Sequence, residues 1–261
     1  YRSGDVDRVC IDYVSGDLTV TQSANRTLNV VENENGLSEA QKVHWYLDGS
    51  TLRIEFCKSG YSGTFPVNSK RMTVEIPYGI DLEIGVTSGD VTFGTDIDVK
   101  NACFGATSGD YTLKTVRTGN FEFGLTSGSI SIEALYADKA EFGSTSGDTS
   151  VSLIQAALVK FGSTSGNTLM NNINATALSG GATSGSVSLG FDYCESIVMA
   201  CTSGNVRITR LPANGATISF EHSSGQLKAD NYMVRDGKLV YGAGLCSMEI
   251  VTTSGDLIIS D

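Results

Sequence analysis

Two pairs of carboxylates set the chemical questions for this chain. Glu122 and Glu141 lie one period apart in a sequence that repeats about every 19 residues, and so do Asp90 and Asp110. If the chain coils with that period, each pair comes to roughly 4.8 Å, the spacing of neighbouring strands. Two carboxylates near that separation flank the scissile bond in retaining glycosidases. Glu122 with Glu141 is therefore the candidate for polysaccharide cleavage. Paired aspartates at a turn offer hard oxygen ligands, which makes Asp90 with Asp110 the candidate for calcium. Against cleavage, the glutamate column also holds Cys103 and Lys160 and alternates with apolar residues, the pattern of a solvated strand face. Against calcium, the known Asp-rich solenoids repeat their ligands about every nine residues. Here a single Asp, Asn or Ser occurs per repeat, so ligand density is too low.

Other chemistries find less. Six cysteines (Cys10, Cys57, Cys103, Cys194, Cys201, Cys246) show no CxxC spacing, and His44 and His222 are the only histidines. That set does not read as a zinc site. An even count permits disulfides, and free buried thiols fit equally well. The Ser-bearing turns lack a GxSxG elbow and a histidine within the repeat, and no Gly-rich phosphate loop carries a lysine. No catalytic, cofactor-binding or metal residue is assigned, and the expectation is a protein that is not an enzyme and carries no cofactor. A net charge of −11 argues against nucleic acid and anionic membrane as partners; solubility accounts for it. No 18-residue apolar run offers a membrane helix. No leader is read at the start, and because the sequence begins at Tyr1, an upstream segment is expected to have been cleaved or left out.

The elements that would hold these residues come from a repeat. Ser-Gly pairs place glycine at 89, 109, 128, 147, 166, 185 and 204, with flanking copies at Gly16, Gly225 and Gly255. A fixed period of roughly 20 residues marks a solenoid. Stacked on that glycine, the positions seven and five residues earlier are mostly apolar, the latter reading Phe104, Phe123, Phe142, Phe161. Positions two and four later are apolar again, as in Tyr111 and Leu113 or Ile130 and Ile132. This alternation is that of half-buried strands, and no window keeps helical periodicity. The phenylalanines, alternating with Glu122, Glu141 and Lys160, are expected to face inward as an aromatic spine.

Glycine at the corner is expected for positive φ, with in-register Thr and Ser hydroxyls pairing across coils and satisfying turn backbone groups, and Asx side chains closing turns. A second glycine column (Gly105, Gly124, Gly143, Gly162, Gly181) suggests a bend or bulge. An apolar column seven residues after the corner is interrupted at Asp192.

The reading is all-β: a β-solenoid of about 19 residues per coil, right-handed by analogy with the commoner β-helices. Residues 1–85 form an N-terminal antiparallel β cap continuous with it, and 86–261 the Ser-Gly solenoid with irregular C-terminal coils. Within the cap, Gly36 to Trp45 reads as a loop or one short helix.

Ser15-Gly16-Asp17, the Thr-Ser-Gly-Asp turns ending at Asp90, Asp110, Asp148 and Asp256, and the Met72–Pro77 strand ending in Ile-Pro together resemble a bacterial family of putative adhesins, over Val9 to the end. The resemblance implies a β-helix-like fold, a location at the cell envelope or outside the cell with any anchor supplied by a segment outside this sequence, and an unidentified protein or glycan partner there. It transfers no catalytic residues.

Overall fold

Alternating apolar residues broken at fixed intervals by glycine fold here into parallel coils. In a computed structural model, residues 6–33, 36–63 and 70–260 are described, and every regular element among them is a strand. Tyr1 lies outside them. The chain divides into two compact units, Tyr1–Ser131 and Ile132–Asp261.

In the first unit, β1 (Arg8–Ser15) and β2 (Asp17–Gln22) meet at the Ser15-Gly16 corner. There follow β3 (Asn29–Glu32), β4 (His44–Asp48), β5 (Thr51–Glu55), β6 (Arg71–Ile76), β7 (Asp81–Ser88), β8 (Val91–Phe93), β9 (Ile97–Asp98), β10 (Asn101–Ser108) and β11 (Asp110–Leu125). One sheet runs β4-β5-β1-β7-β10-β11 and a second β3-β6-β2-β8-β11. β11 bends between them, passing β9 where Val116 faces Ile97.

Residues 8–22, expected in an antiparallel cap, instead build a parallel coil in register with β7 and β8. Antiparallel pairing in this unit involves only β3 with β6 and β4 with β5, among the described residues. Spatial order also departs from chain order: the first coil lies between the β5–β6 coil and the β7–β8 coil. Gly36 to Trp45 forms turns leading into β4, with no helix.

Each strand buries one side. Val9, Ile11 and Tyr13 of β1 and Leu82, Ile84 and Val86 of β7 point inward. Phe104, Phe123, Phe142 and Phe161 are buried too. In the first unit Phe104 meets Phe121 edge to face at 5.8 Å and Tyr111 meets Phe123 so at 5.2 Å, while Phe104 and Tyr111 are stacked at 6.2 Å, arrangements favoured by the ring quadrupole.

The outermost coil is secured by a buried ion pair. Lys70, with its side chain 2% exposed, lies 2.9 Å from Glu32. It also donates to the Phe56 carbonyl and sits 4.1 Å over the Phe56 ring.

The second unit holds most of β12 (Ser129–Ser144), then β13 (Asp148–Val151), β14 (Ile154–Ser163), β15 (Thr168–Ala182), β16 (Val187–Cys201), β17 (Val206–Arg210), β18 (Ala216–His222), β19 (Leu227–Ala229), β20 (Met233–Arg235), β21 (Lys238–Tyr241), β22 (Cys246–Thr252) and β23 (Leu257–Ile259). Parallel ladders run β12-β14-β15-β16-β22-β18 and β13-β15-β16-β17-β23-β19. The last coil of the chain, β22 to β23, is thus inserted between β16–β17 and β18–β19. An antiparallel pair, β20 with β21, lies along β18. Where Asp192 interrupts the apolar column, the register shifts and Phe191 takes the buried place opposite Ile173.

The corner glycines answer to a contact between coils. At Gly109 φ is +129°, and an added Cβ would stand 2.0 Å from the Gly89 carbonyl oxygen. At Gly185 φ is not left-handed, yet a Cβ would lie 1.9 Å from the Gly166 oxygen. Positive φ therefore explains only some corners; the carbonyl of the preceding coil excludes a side chain at both kinds. Hydroxyls satisfy turn backbone groups, as expected. They donate to carbonyls, as Ser127 Oγ does to Thr107 O at 3.1 Å and Ser163 Oγ to Gly166 O at 2.7 Å.

Two outcomes follow from these contacts. Gly185→Ala should cost about 2 kcal/mol or more despite its permissive φ, because the clash is with backbone; urea unfolding measures it. Glu32→Ala should cost about 3 kcal/mol by leaving the Lys70 ammonium buried without its carboxylate, read from the same denaturation curves.

Candidate functional site

The second glycine column is where the surface opens. β1, β7, β10 and β11 run in parallel register, which aligns Asp12, Gly85, Gly105 and Gly124 in one row across four strands. Their neighbours Tyr13, Val86, Ala106 and Leu125 are buried, so by strand alternation the row faces out. No register shift interrupts these pairings, and none of the three glycines has left-handed φ. The expected bend or bulge is absent here.

Space does not demand glycine either. A Cβ at Gly124 would meet nothing within 4 Å, and at Gly105 only the Gly124 carbonyl oxygen, at 3.6 Å. The result is a bare backbone floor in an open trough of about 440 Å³, with Thr87 and Thr107 on one side and Asp12 at one end. Glycine in a strand interior weakens it and marks sites where another molecule approaches closely.

On the other side of the row, two residues earlier on each strand, stand Cys10, Glu83, Cys103 and Glu122. Burial pushes the Cys10 thiol up to about 11, helped by its hydrogen bond to Glu83 at 3.4 Å. Cys103 is raised by burial and by Glu122 and Glu83. Both are thus protonated near neutrality and poor nucleophiles. The Asp12 carboxyl is raised, first by loss of water and then by Glu83, with Arg53 opposing. The trough presents acceptor oxygens and hydroxyls over a flat floor, an arrangement for holding an extended ligand.

The residues singled out from sequence fall elsewhere. Asp90 Oδ1 accepts the Asp110 N–H at 3.0 Å, and Asp110 Oδ1 accepts the Ser129 hydroxyl at 2.7 Å. Asp148 and Asn167 repeat the device in the second unit. These side chains close the turn of the next coil. Glu122 lies on β11 in the first unit and Glu141 on β12 in the second. Glu141 pairs with Lys139 at 2.7 Å and Lys160 at 3.7 Å, which hold its carboxyl below the usual range; it is not poised to donate a proton. His44 sits on β4, with Nε2 3.3 Å from the Glu39 carbonyl, and His222 ends β18 with its ring stacked on Phe220. Lys160 lies on β14, one strand from Glu141.

Sequence reasoning missed the trough and also the exposed Trp45, Tyr46 and Leu47 of β4. The available signal for the trough was the row itself, glycine flanked by alternating strand residues with no turn-forming neighbours.

A family model described as Toastrack DUF4097 matches residues 6–193 and 154–261. Among solved structures, a putative adhesin from Parabacteroides merdae ATCC 43184 has a TM-score of 0.61 at 12% identity, over 98% of this chain and 92% of that one. A putative adhesin from Bacteroides fragilis NCTC 9343 has a TM-score of 0.50 at 13% identity, over 99% and 94%. These likenesses are of fold. No curated protein matches the chain.

If the floor is bare for access, filling it should be harmless to folding. Gly124→Val should leave stability within about 1 kcal/mol of the parent or raise it, since β-branched residues suit strands. Guanidinium unfolding checks this, and a loss as large as that of a corner glycine would mean the floor is structural.

Proposed function

The chain belongs to the Toastrack DUF4097 family, and we propose that it acts as a non-catalytic, adhesin-like interaction module at the bacterial cell envelope. The observation that carries this reading is the glycine-floored trough of the first unit. A row of side chains is missing where side chains would fit, and acceptor groups line what remains. The names of the two solved relatives agree with it. The coil length that goes with the proposal is about 19 residues, supported by the pairing of Asn101 with Asn120 and of Ile154 with Ile173.

The chemistry of the trough favours a glycan. A flat sugar ring can lie on the backbone floor, while its hydroxyls donate to Asp12 and exchange hydrogen bonds with Thr87 and Thr107. Binding needs no cofactor or metal and no ionisable nucleophile.

A polysaccharide-cleaving enzyme is the alternative. It would need two carboxylates about the scissile bond; Asp12 lines the trough floor, while Glu83 and Glu122 stand at its edge with Glu83 engaged by the Cys10 thiol.

The test is a screen of the folded chain against surface polysaccharides and a glycan array, repeated with Gly124→Phe. Retention of a glycan by the parent and its loss in the filled variant are the expected result. Unchanged retention would remove the trough from the proposal. Release of shortened oligosaccharides from an incubated polymer would replace the binding reading with the enzymatic one.

A further inference from the structure

The inserted last coil carries one cysteine, and another waits beside it. Cys246 opens β22, and Cys194 lies on β16, the strand β22 pairs with from Ser196 opposite Ser247 onward. The alternation of β16 breaks at that point, with Glu195 and Ser196 both outward between buried Cys194 and Ile197, so Cys194 and Cys246 both lie on the inner side at the start of this ladder.

The backbone supports the proximity. Asn214 donates its amide to the Cys194 carbonyl at 2.9 Å and accepts the Leu245 N–H on its own carbonyl at 3.3 Å. Both cysteine side chains are fully buried, and both are free thiols. Cα separations of neighbouring strands fall within the range a disulfide spans.

We infer that Cys194 and Cys246 form a disulfide latch that ties the inserted C-terminal coil to the array in an oxidising compartment. The two thiols also influence each other's titration, Cys194 being lowered and Cys246 raised by their interaction.

The oxidant is a disulfide, either a small molecule such as oxidised glutathione or the disulfide of an oxidoreductase. Cys194 sulfur attacks one of its sulfurs and forms a mixed disulfide, and the first thiolate leaves with the electron pair. Cys246 then loses its proton to solvent. Its thiolate attacks the Cys194 sulfur, and the second thiolate departs. Two protein thiols are oxidised and one external disulfide is reduced to two thiols.

Because both sulfurs are buried, exchange takes place while the last coil is out of its slot, during folding or on local opening. Once made, the bond keeps β22 beside β16. The other four cysteines include the buried Cys10 and Cys201, the half-buried Cys57 and the exposed Cys103, and they belong to no such pair.

The test uses the full chain, denatured, reduced and refolded in reduced and oxidised glutathione, with free thiols then alkylated and the peptides mapped by mass spectrometry. The expected result is a Cys194–Cys246 linkage as the dominant disulfide, unchanged by Cys103→Ser, and amide exchange over residues 246–259 slowed about tenfold or more relative to the reduced protein. Alkylation of both cysteines in refolded protein would overturn the latch. So would linkage spread evenly over other pairs, or a linkage that leaves exchange in the last coil unchanged.

Discussion

Everything in both units hangs on one close approach: the carbonyl oxygen of each corner glycine points at the corner of the next coil. At Gly89, Gly109 and Gly128, and again at Gly185, Gly204 and Gly255, a Cβ would lie within 2.1 Å of that oxygen. Coils stacked at strand spacing leave no room for more. Having met that requirement, the corner recruits the polar residues around it, so that Asp90, Asp110, Asp148 and Asn167 cap polar groups of the following turn. A ladder of this kind satisfies backbone groups that a sharp turn would otherwise strand. The same engagement occupies the aspartates that calcium would need.

A stack of coils has ends, and an open end offers unpaired backbone to other chains. Each unit handles this by the same topological device. The coil that begins the sequence and the coil that finishes it are both placed one layer in, and the outermost layer comes from an internal segment flanked by antiparallel strands. In the first unit β3 and β4 flank that layer, with the Lys70–Glu32 pair beneath. In the second, β20 and β21 run along β18. The consequence is kinetic as well as structural. Slots for β1–β2 and for β22–β23 are complete only when residues far away in sequence have folded, so these contacts are of high contact order and form late.

The proposed binding face rests on what the regular lattice leaves out. A parallel ladder repeats every outward column faithfully, so a column of glycine becomes a continuous trough without any loop being built. Its rim is anionic, its thiols stay protonated, and its hydroxyls come from the same threonines that precede each corner. Binding through such a face needs no moving part. It also accounts for a chain in which the obvious chemical residues, Glu141 and the turn aspartates, are spent on ion pairs and turn closure.

Strand content, repeat spacing and the inward side were all legible in the order of the amino acids. The period of Ser-Gly, the alternation around Phe104 and Phe123, and the polar partners between them are local patterns, and local patterns survive without knowledge of the fold. The same alternation put Glu122 and Glu141 outward, on a solvated face. Three matters waited on how whole coils pack. The direction of pairing in residues 8–22 was one, because a strand's own alternation is the same whether its neighbour runs parallel or antiparallel. The meaning of the two glycine columns was another: glycine is one letter, and the neighbouring coil shows whether a carbonyl excludes a side chain, as at Gly185, or nothing does, as at Gly124. The third was the insertion of β22–β23, which brings Cys246 to Cys194. Contacts between residues far apart in sequence follow from the stacking of complete coils, and no single segment carries them.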